Sequence, residues 1–262
     1  MSEKKRSTRR IGAGALPLGI AVLFAGQWLA GGQAASLFQL DAALVVFGGT
    51  FAALLISYPG STLRRAVAAV PHVFKSPKTT ADALVARFTD YAIRVRKRGV
   101  MTLENEIPKA GEVFLARTLG LLVDGTTADD LRLALRTASE AMEDADDELA
   151  EVYEAAGGYA PTLGILGAVL GLMHVMENLT APSKLGAGIA VAFVATIYGV
   201  ASANLLFLPI AMRLRVTARD RAIRREAIIE GAVALQQGVH PRLLEAQLDG
   251  FMRGADRAGK AA

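Results

Sequence analysis

Four stretches of the chain carry no Lys, Arg, Asp or Glu: Ile11–Leu40, Ala42–Leu63, Ala155–Met176 and Leu185–Met212. A helix rises about 1.5 Å per residue, so about 20 apolar residues cross a hydrocarbon core of about 30 Å. Each stretch is long enough. The expected fold is an all-α membrane protein with four transmembrane helices in two hairpins, a helical domain between the hairpins and a helical C-terminal tail. The spans fall at 11–31, 38–58, 157–177 and 185–212, with a basic tail at 1–10, the inserted domain at 59–156 and the helical tail at 213–262.

Between the hairpins the hydrophobic period changes. From Asp82 the residues Leu84, Phe88, Tyr91 and Val95 recur at helical spacing, which predicts an amphipathic helix ending before Gly99. A second helix starts at Thr127, whose hydroxyl caps the first turn while Asp130 answers from three residues on. Leu131, Leu135, Ala138, Met142, Ala145, Leu149 and Val152 then step by four and three, a heptad seam. Its other faces carry Glu140, Glu143, Asp144, Asp146, Asp147, Glu148 and Glu151, which keep the helix solvated. The fourth span is expected to run on as one helix to Gln237, where Gly238 supplies a stop and Pro241 opens a last short helix. No fixed-period repeat is present.

Composition agrees with this plan, since 52% apolar residues exceeds the roughly 45 to 50% of soluble proteins. Charge then orients it. Lys4, Lys5, Arg6, Arg9 and Arg10 precede the first span; Arg64, Arg65, Lys75 and Lys78 follow the second; Arg213, Arg215, Arg219 and Arg221 follow the fourth. The other two connections hold only Lys184. Short cationic loops stay cytoplasmic, so both termini are expected to face the cytoplasm. The surplus of positive charge thereby has an explanation without nucleic acid. Ser7-Thr8-Arg9-Arg10 before an apolar run has the look of a twin-arginine export signal, but export of the rest conflicts with three further spans.

Chemistry within the spans is sparse. Small residues line the third span at Gly164, Gly167, Ala168 and Gly171, and the fourth at Gly188, Ala192, Ala195, Thr196, Gly199 and Ala203. Such faces let backbones approach closely in lipid, within the chain's own bundle or against another subunit. His174 is the ionisable residue of the apolar runs, and it is read as an interfacial histidine. A proton relay needs a titratable group at membrane depth, so a partner must supply the carboxylate if this chain handles ions. Pro161 is read at the start of the third helix, where a missing N–H is tolerated, and Pro209 as a kink in the fourth. The chain has no cysteine, which excludes disulfides and thiol catalysis, and His72, His174 and His240 have no metal-ligand spacing. No cofactor is expected. Without paired carboxylates, a serine–histidine set or a metal cluster at membrane depth, the chain is not read as an enzyme.

These residues resemble a known family. Val45-Val46-Phe47-Gly48-Gly49-Thr50 through Tyr58-Pro59, then Ala160-Pro161-Thr162-Leu163-Gly164-Ile165 with Gly171-Leu172, then Ala195-Thr196-Ile197-Tyr198-Gly199, Ala203-Asn204 and Pro209-Ile210-Ala211, are similar in order to the A subunit of flagellar motor stators, the MotA/PomA family. Gln237-Gly238-Val239-His240-Pro241-Arg242 resembles that family's C-terminal signature, which usually has Asn at the position of His240. The family lies in the MotA/TolQ/ExbB proton channel superfamily.

The resemblance implies an A subunit that forms with a B subunit an ion channel, coupling proton flow to torque on the rotor. It places Thr196, Ala168 and Tyr198 along the ion path and makes Pro161 and Pro209 the coupling prolines. Arg96 and Glu104, with Lys97 and Arg98 as added positive charge, become contacts to the rotor's switch-ring protein. On sequence alone that stretch reads as a solvated helix end beside a turn at Gly99. Sodium-driven members tend to carry Thr where this chain has Ala168, so protons are expected. The implied assembly is a pentameric ring around two B subunits whose membrane helices bear the aspartate, with the Gly and Ala faces of spans three and four offering smooth sliding contacts. The alternative within the superfamily is a TolQ- or ExbB-like energiser of a periplasmic partner, which has three spans and an external N-terminus. A scaffold without torque is the remaining reading.

Overall fold

The computed structural model describes the backbone of residues 37–73, 81–177 and 182–261, together with 17–19, 21–22, 24–26, 28–29 and 31. The basic tail 1–10, much of the first span, Lys75, Lys78 and the turn at 178–181 lie outside the described residues. All regular structure among the described residues is helical. In chain order the elements are α1 (Pro17–Gly26), α2 (Leu40–Ser57), α3 (Gly60–Val73), α4 (Ala81–Arg98), a 3₁₀ segment (Val100–Lys109), α5 (Val113–Val123), α6 (Ala128–Glu177), α7 (Pro182–Ser202), α8 (Leu208–Gln236) and α9 (Pro241–Ala261). Three helices are long and apolar enough to cross a membrane: Leu40–Ser57, Ala128–Glu177 and Gly188–Gln236.

The chain divides into two compact units, Met1–Ser76 with Asp146–Val216, and Pro77–Ala145 with Thr217–Ala262. In the first unit the buried side chains include many small ones: Ala42, Val46, Ala160, Val194 and Ala195 form one cluster, and Ala66, Leu149, Ala150, Val152, Ile210 and Leu214 another. The second unit has a core of bulky groups, with Leu84, Phe88, Tyr91, Leu103, Leu115, Leu119, Leu122, Leu131, Leu135, Ile228 and Ile229 fully buried. Thus the α4 stripe read from the sequence is a core face. The heptad seam is divided, its Leu131 and Leu135 serving the second unit and its Leu149 and Val152 the first.

Local signals act where the sequence places them. Thr127 Oγ1 accepts from the Asp130 N–H at 3.3 Å and donates to its carboxylate at 2.7 Å, closing the first turn of α6. At the end of α8, Gly238 takes φ +67°, its N–H reaching Leu235 O and that of Val239 reaching Ala234 O, the bond pair of a Schellman stop.

Two helical features differ from expectation. Nothing breaks α6 between Ala128 and Glu177, so Pro161 lies deep inside a 50-residue helix rather than at a helix start. Ahead of Pro209 the chain forms a π-helical turn, Ala203–Phe207. A proline offers no N–H to the turn before it and its ring crowds a carbonyl there, and a widened turn makes the room. A second π turn, Leu44–Gly48, interrupts α2, where Thr50 donates its hydroxyl to Val46 O at 2.6 Å.

Candidate functional site

In the first unit the small residues of α6 and α7 meet one another. A Cβ added at Gly164 would lie 2.9 Å from Ala195 O, one at Gly171 2.9 Å from Ala192 N, and one at Gly199 2.5 Å from Ala160 O and 3.1 Å from Pro161 Cα. Gly167 faces the Ala195 methyl and Ala203 is buried. Within the chain these faces therefore pack closely against one another. The exposed sides of the two helices instead carry Ile165, Leu166, Val169, Leu172 and Met173 on α6 and Phe193, Ile197 and Val200 on α7.

Ala168 and Thr196 are half-buried, and the Thr196 hydroxyl donates to Ala192 O at 3.4 Å, within its own helix. Tyr198 is more constrained. Its hydroxyl donates to Leu37 O and accepts from the Gln39 N–H at 3.3 Å, and its ring lies 5.8 Å from that of Phe47. The side chain ties α7 to the start of α2. Pro161 is half-buried and Pro209 exposed. Because α2 begins at Leu40, Asp41 falls in its first turn, exposed, one residue ahead of the charge-free run. His174 is exposed and stands 3.8 Å from Glu177. Among the described residues no cluster of His, Cys, Asp and Glu could hold a metal ion.

In the second unit the charged end of α4 is built by a division of labour. Arg87 donates to Ala110 O at 2.9 Å and Lys109 O at 2.7 Å, pinning the 3₁₀ segment to the helix. Arg94 bonds Asp90 on its own helix and Glu106 at 3.0 Å on the 3₁₀ segment. Its hydrogen bonds to Asp90 and Glu106 hold its charge more firmly, and its bond to Glu106 pulls that carboxyl below the usual range. The two guanidiniums sit 5.7 and 5.6 Å from the centre of the Tyr91 ring, whose buried hydroxyl is pushed up by desolvation.

Against this braced frame, Gly99 turns at φ +83° and Leu103 plugs into the core. Arg96, Lys97, Arg98 and Glu104 are all exposed. An open cleft of about 610 Å³ beside them is lined by Arg94, Arg98, Thr102, Asn105, Glu106 and Lys109. Sequence reading missed Arg87, Arg94 and Glu106. The i,i+4 spacing of Asp90 and Arg94 was the available signal; the reach to Glu106 and to backbone carbonyls depends on the fold.

Further ion pairs brace α6 against α8 within this unit: Arg132 with Glu230 at 3.2 Å and Arg136 with Glu226 at 3.0 Å. Arg224 holds the Glu112 carboxylate at 2.9 Å, at the start of α5.

Comparison with known proteins matches residues 106–227 to the profile of the MotA/TolQ/ExbB proton channel family and residues 15–92 to that of the Motility protein A N-terminal region. Motility protein A of Bacillus subtilis is 32% identical over 92% of this chain and 89% of its own length. Chemotaxis protein PomA of Vibrio alginolyticus is 28% identical over 87% and 89%. Among solved structures, the flagellar MotAB stator complex from Bacillus subtilis aligns with TM-score 0.84 and 31% identity over 96% of this chain and 98% of the other. The C. jejuni MotAB structure aligns with TM-score 0.85 and 27% identity over 93% and 94%.

Proposed function

The chain belongs to the MotA/TolQ/ExbB proton channel family, and from that premise we propose that it is the A subunit of a flagellar motor stator, working with a B subunit as an ion channel that drives torque. The observation that carries the reading is the near-complete alignment with the MotAB stator complex. The energiser reading is weaker, because residues 15–92, the part holding the first two spans, match the Motility protein A N-terminal profile.

In this proposal four spans cross the bacterial inner membrane as two hairpins, at 11–31, 38–58, 157–177 and 185–212, with both termini in the cytoplasm. The domain 59–156 and the tail 213–262 reach the rotor. A pentameric ring surrounds two B subunits, which bring an aspartate to membrane depth, whereas this chain's Asp41 and Glu177 stand at the ends of its charge-free runs. Moving one charge through 100 mV yields about 2.3 kcal/mol, so each protonation step has only a few kcal/mol to work with. Thr196 and Ala168 line the path, and Tyr198 fixes the wall beside it. Pro161 and Pro209 sit where a backbone carbonyl is freed, and the π turn before Pro209 gives the fourth helix a place to flex. Protons are the proposed ion, on the strength of Ala168. Arg96, Lys97, Arg98 and Glu104 meet the switch-ring protein; their exposure beside a braced frame supports this.

Deleting the gene from a motile host tests the function. Loss of swimming with filaments intact is expected, and undiminished swimming by a host with no other stator contradicts it. Charge reversal at Arg96 or Glu104, rescued by the opposite reversal on the rotor protein, separates torque generation from scaffolding.

A further inference from the structure

The cleft beside the 3₁₀ segment is a cavity that the rotor contacts leave unused. Gly99 turns the chain at φ +83°, so that the segment Val100–Lys109 runs beside α4 and the two bound about 610 Å³. Both walls are fixed. Arg87 holds the carbonyls of Lys109 and Ala110, while Arg94 and Lys109 share the Glu106 carboxylate at 3.0 and 3.4 Å.

Helical geometry decides which side chains reach the cavity. On α4, Arg94 and Arg98 are four residues apart and share a side; Arg96 stands about 200° round the helix from Arg94, and it is not among the lining residues. In a 3₁₀ helix residues three apart eclipse, so Thr102, Asn105 and Pro108 form one row, and all three line the cleft. Glu104 belongs to the row of Met101 and Ile107, none of which lines it. The cleft and the rotor contacts Arg96 and Glu104 therefore occupy different faces of one corner.

Charge and room then limit the occupant. Arg94, Arg98 and Lys109 set three cations against the one carboxylate of Glu106, leaving a surplus of two. A phosphomonoester carries about −1.5 to −2 at pH 7, which matches that surplus better than a single carboxylate does. Arg98 and Asn105 are exposed and take no part in the bracing, so a guanidinium fork and a side-chain amide are left to receive a ligand. The Thr102 hydroxyl donates to Gly99 O at 2.9 Å, and its oxygen remains an acceptor. A water takes about 30 Å³ of liquid, so the cavity has room for an organic group beside the phosphate.

We propose that this cleft binds a small soluble phosphomonoester, its phosphate taken by Arg98 and Lys109 and its organic part by Asn105 and Thr102. Binding does not rest on the stator reading, but its consequence does. Arg98 is among the charges assigned to the switch-ring protein, so an occupied cleft withdraws it, and ligand and rotor compete.

Titration calorimetry of the purified full-length chain in detergent, with ribose 5-phosphate as probe, tests binding without the motor. One saturable site is expected, with no heat from ribose and at least tenfold weaker binding of acetate. Arg98→Ala and Lys109→Ala should each weaken the probe tenfold or more, the usual cost of losing a hydrogen bond to a charged group. Arg98→Lys keeps the charge without the fork and should recover part of that loss. Arg117→Ala, which removes a charge from an exposed position on α5, should change nothing. Heat that does not saturate by about 10 mM probe overturns the proposal, as does ribose binding as tightly as its phosphate. So does a loss in Arg117→Ala equal to that in Arg98→Ala, which would mean attraction to net charge alone. Affinity untouched by the substitutions at 98 and 109 places the ligand elsewhere and overturns it too.

Discussion

The two units solve the same problem with opposite materials. The second buries Phe88, Tyr91 and a set of leucines and isoleucines, and rims them with arginine–carboxylate pairs. The first brings Gly164, Gly171 and Gly199 against the backbones of Ala195, Ala192 and Ala160. In water, large side chains gain by leaving the solvent. In lipid an apolar side chain gains little by changing neighbours, so close backbone contact does the work. A substitution that is harmless in one unit should accordingly be damaging in the other.

The largest stability effect is expected at Phe88, which is fully buried and whose ring would sit 2.6 Å from a Cβ at Gly231. Phe88→Ala should cost about 3–5 kcal/mol in the second unit, read by thermal unfolding of the solubilised protein. In the first unit addition rather than removal is the lesion. Gly199→Val sets new atoms against the Ala160 carbonyl and the Pro161 backbone and should cost about 1–3 kcal/mol. Swimming should be lost with it. Gly186→Ala, with nothing within 4 Å, should leave both unchanged.

A smaller effect follows pH. Glu106 has its pKa lowered in the folded chain by Arg94, so the pair stabilises above the ordinary carboxylate value and is lost as pH falls through the depressed one. Comparing wild type with Glu106→Gln should show the advantage of the wild type shrinking below about pH 4. The smallest stability effect belongs to the exposed charges. Arg96→Glu should shift unfolding by no more than about 0.5 kcal/mol while abolishing swimming. If it destabilises the second unit as Phe88→Ala does, the distinction between braced and exposed arginines is wrong.

Much of this architecture is legible in the sequence because the signals are local. The charge-free runs, the Leu84–Phe88–Tyr91 stripe, the Thr127 cap and the Gly238 stop each act within a few residues. What stayed hidden depends on distant partners. The sequence shows that Gly164 and Gly199 are small, but not that each is the other's neighbour. It shows Pro161, but whether a helix begins there or thirty residues earlier turns on the absence of any breaker after Thr127. Of the charged end, the exposed residues followed from resemblance, while Arg87 and Arg94 required the 3₁₀ segment to be seen lying against them.

On the proposed function, the charge-free runs, flanked by Asp41 in the first turn of α2 and by Glu177 at the end of α6, form a wall that conducts only with a carboxylate from a partner helix. Proton flux into vesicles carrying the purified chain, alone and then together with a B subunit, measures this directly. Flux should stay at the empty-vesicle level for the chain alone and rise with the B subunit, disappearing again when the partner's membrane aspartate is replaced by asparagine. Rapid flux through the chain alone would contradict the account.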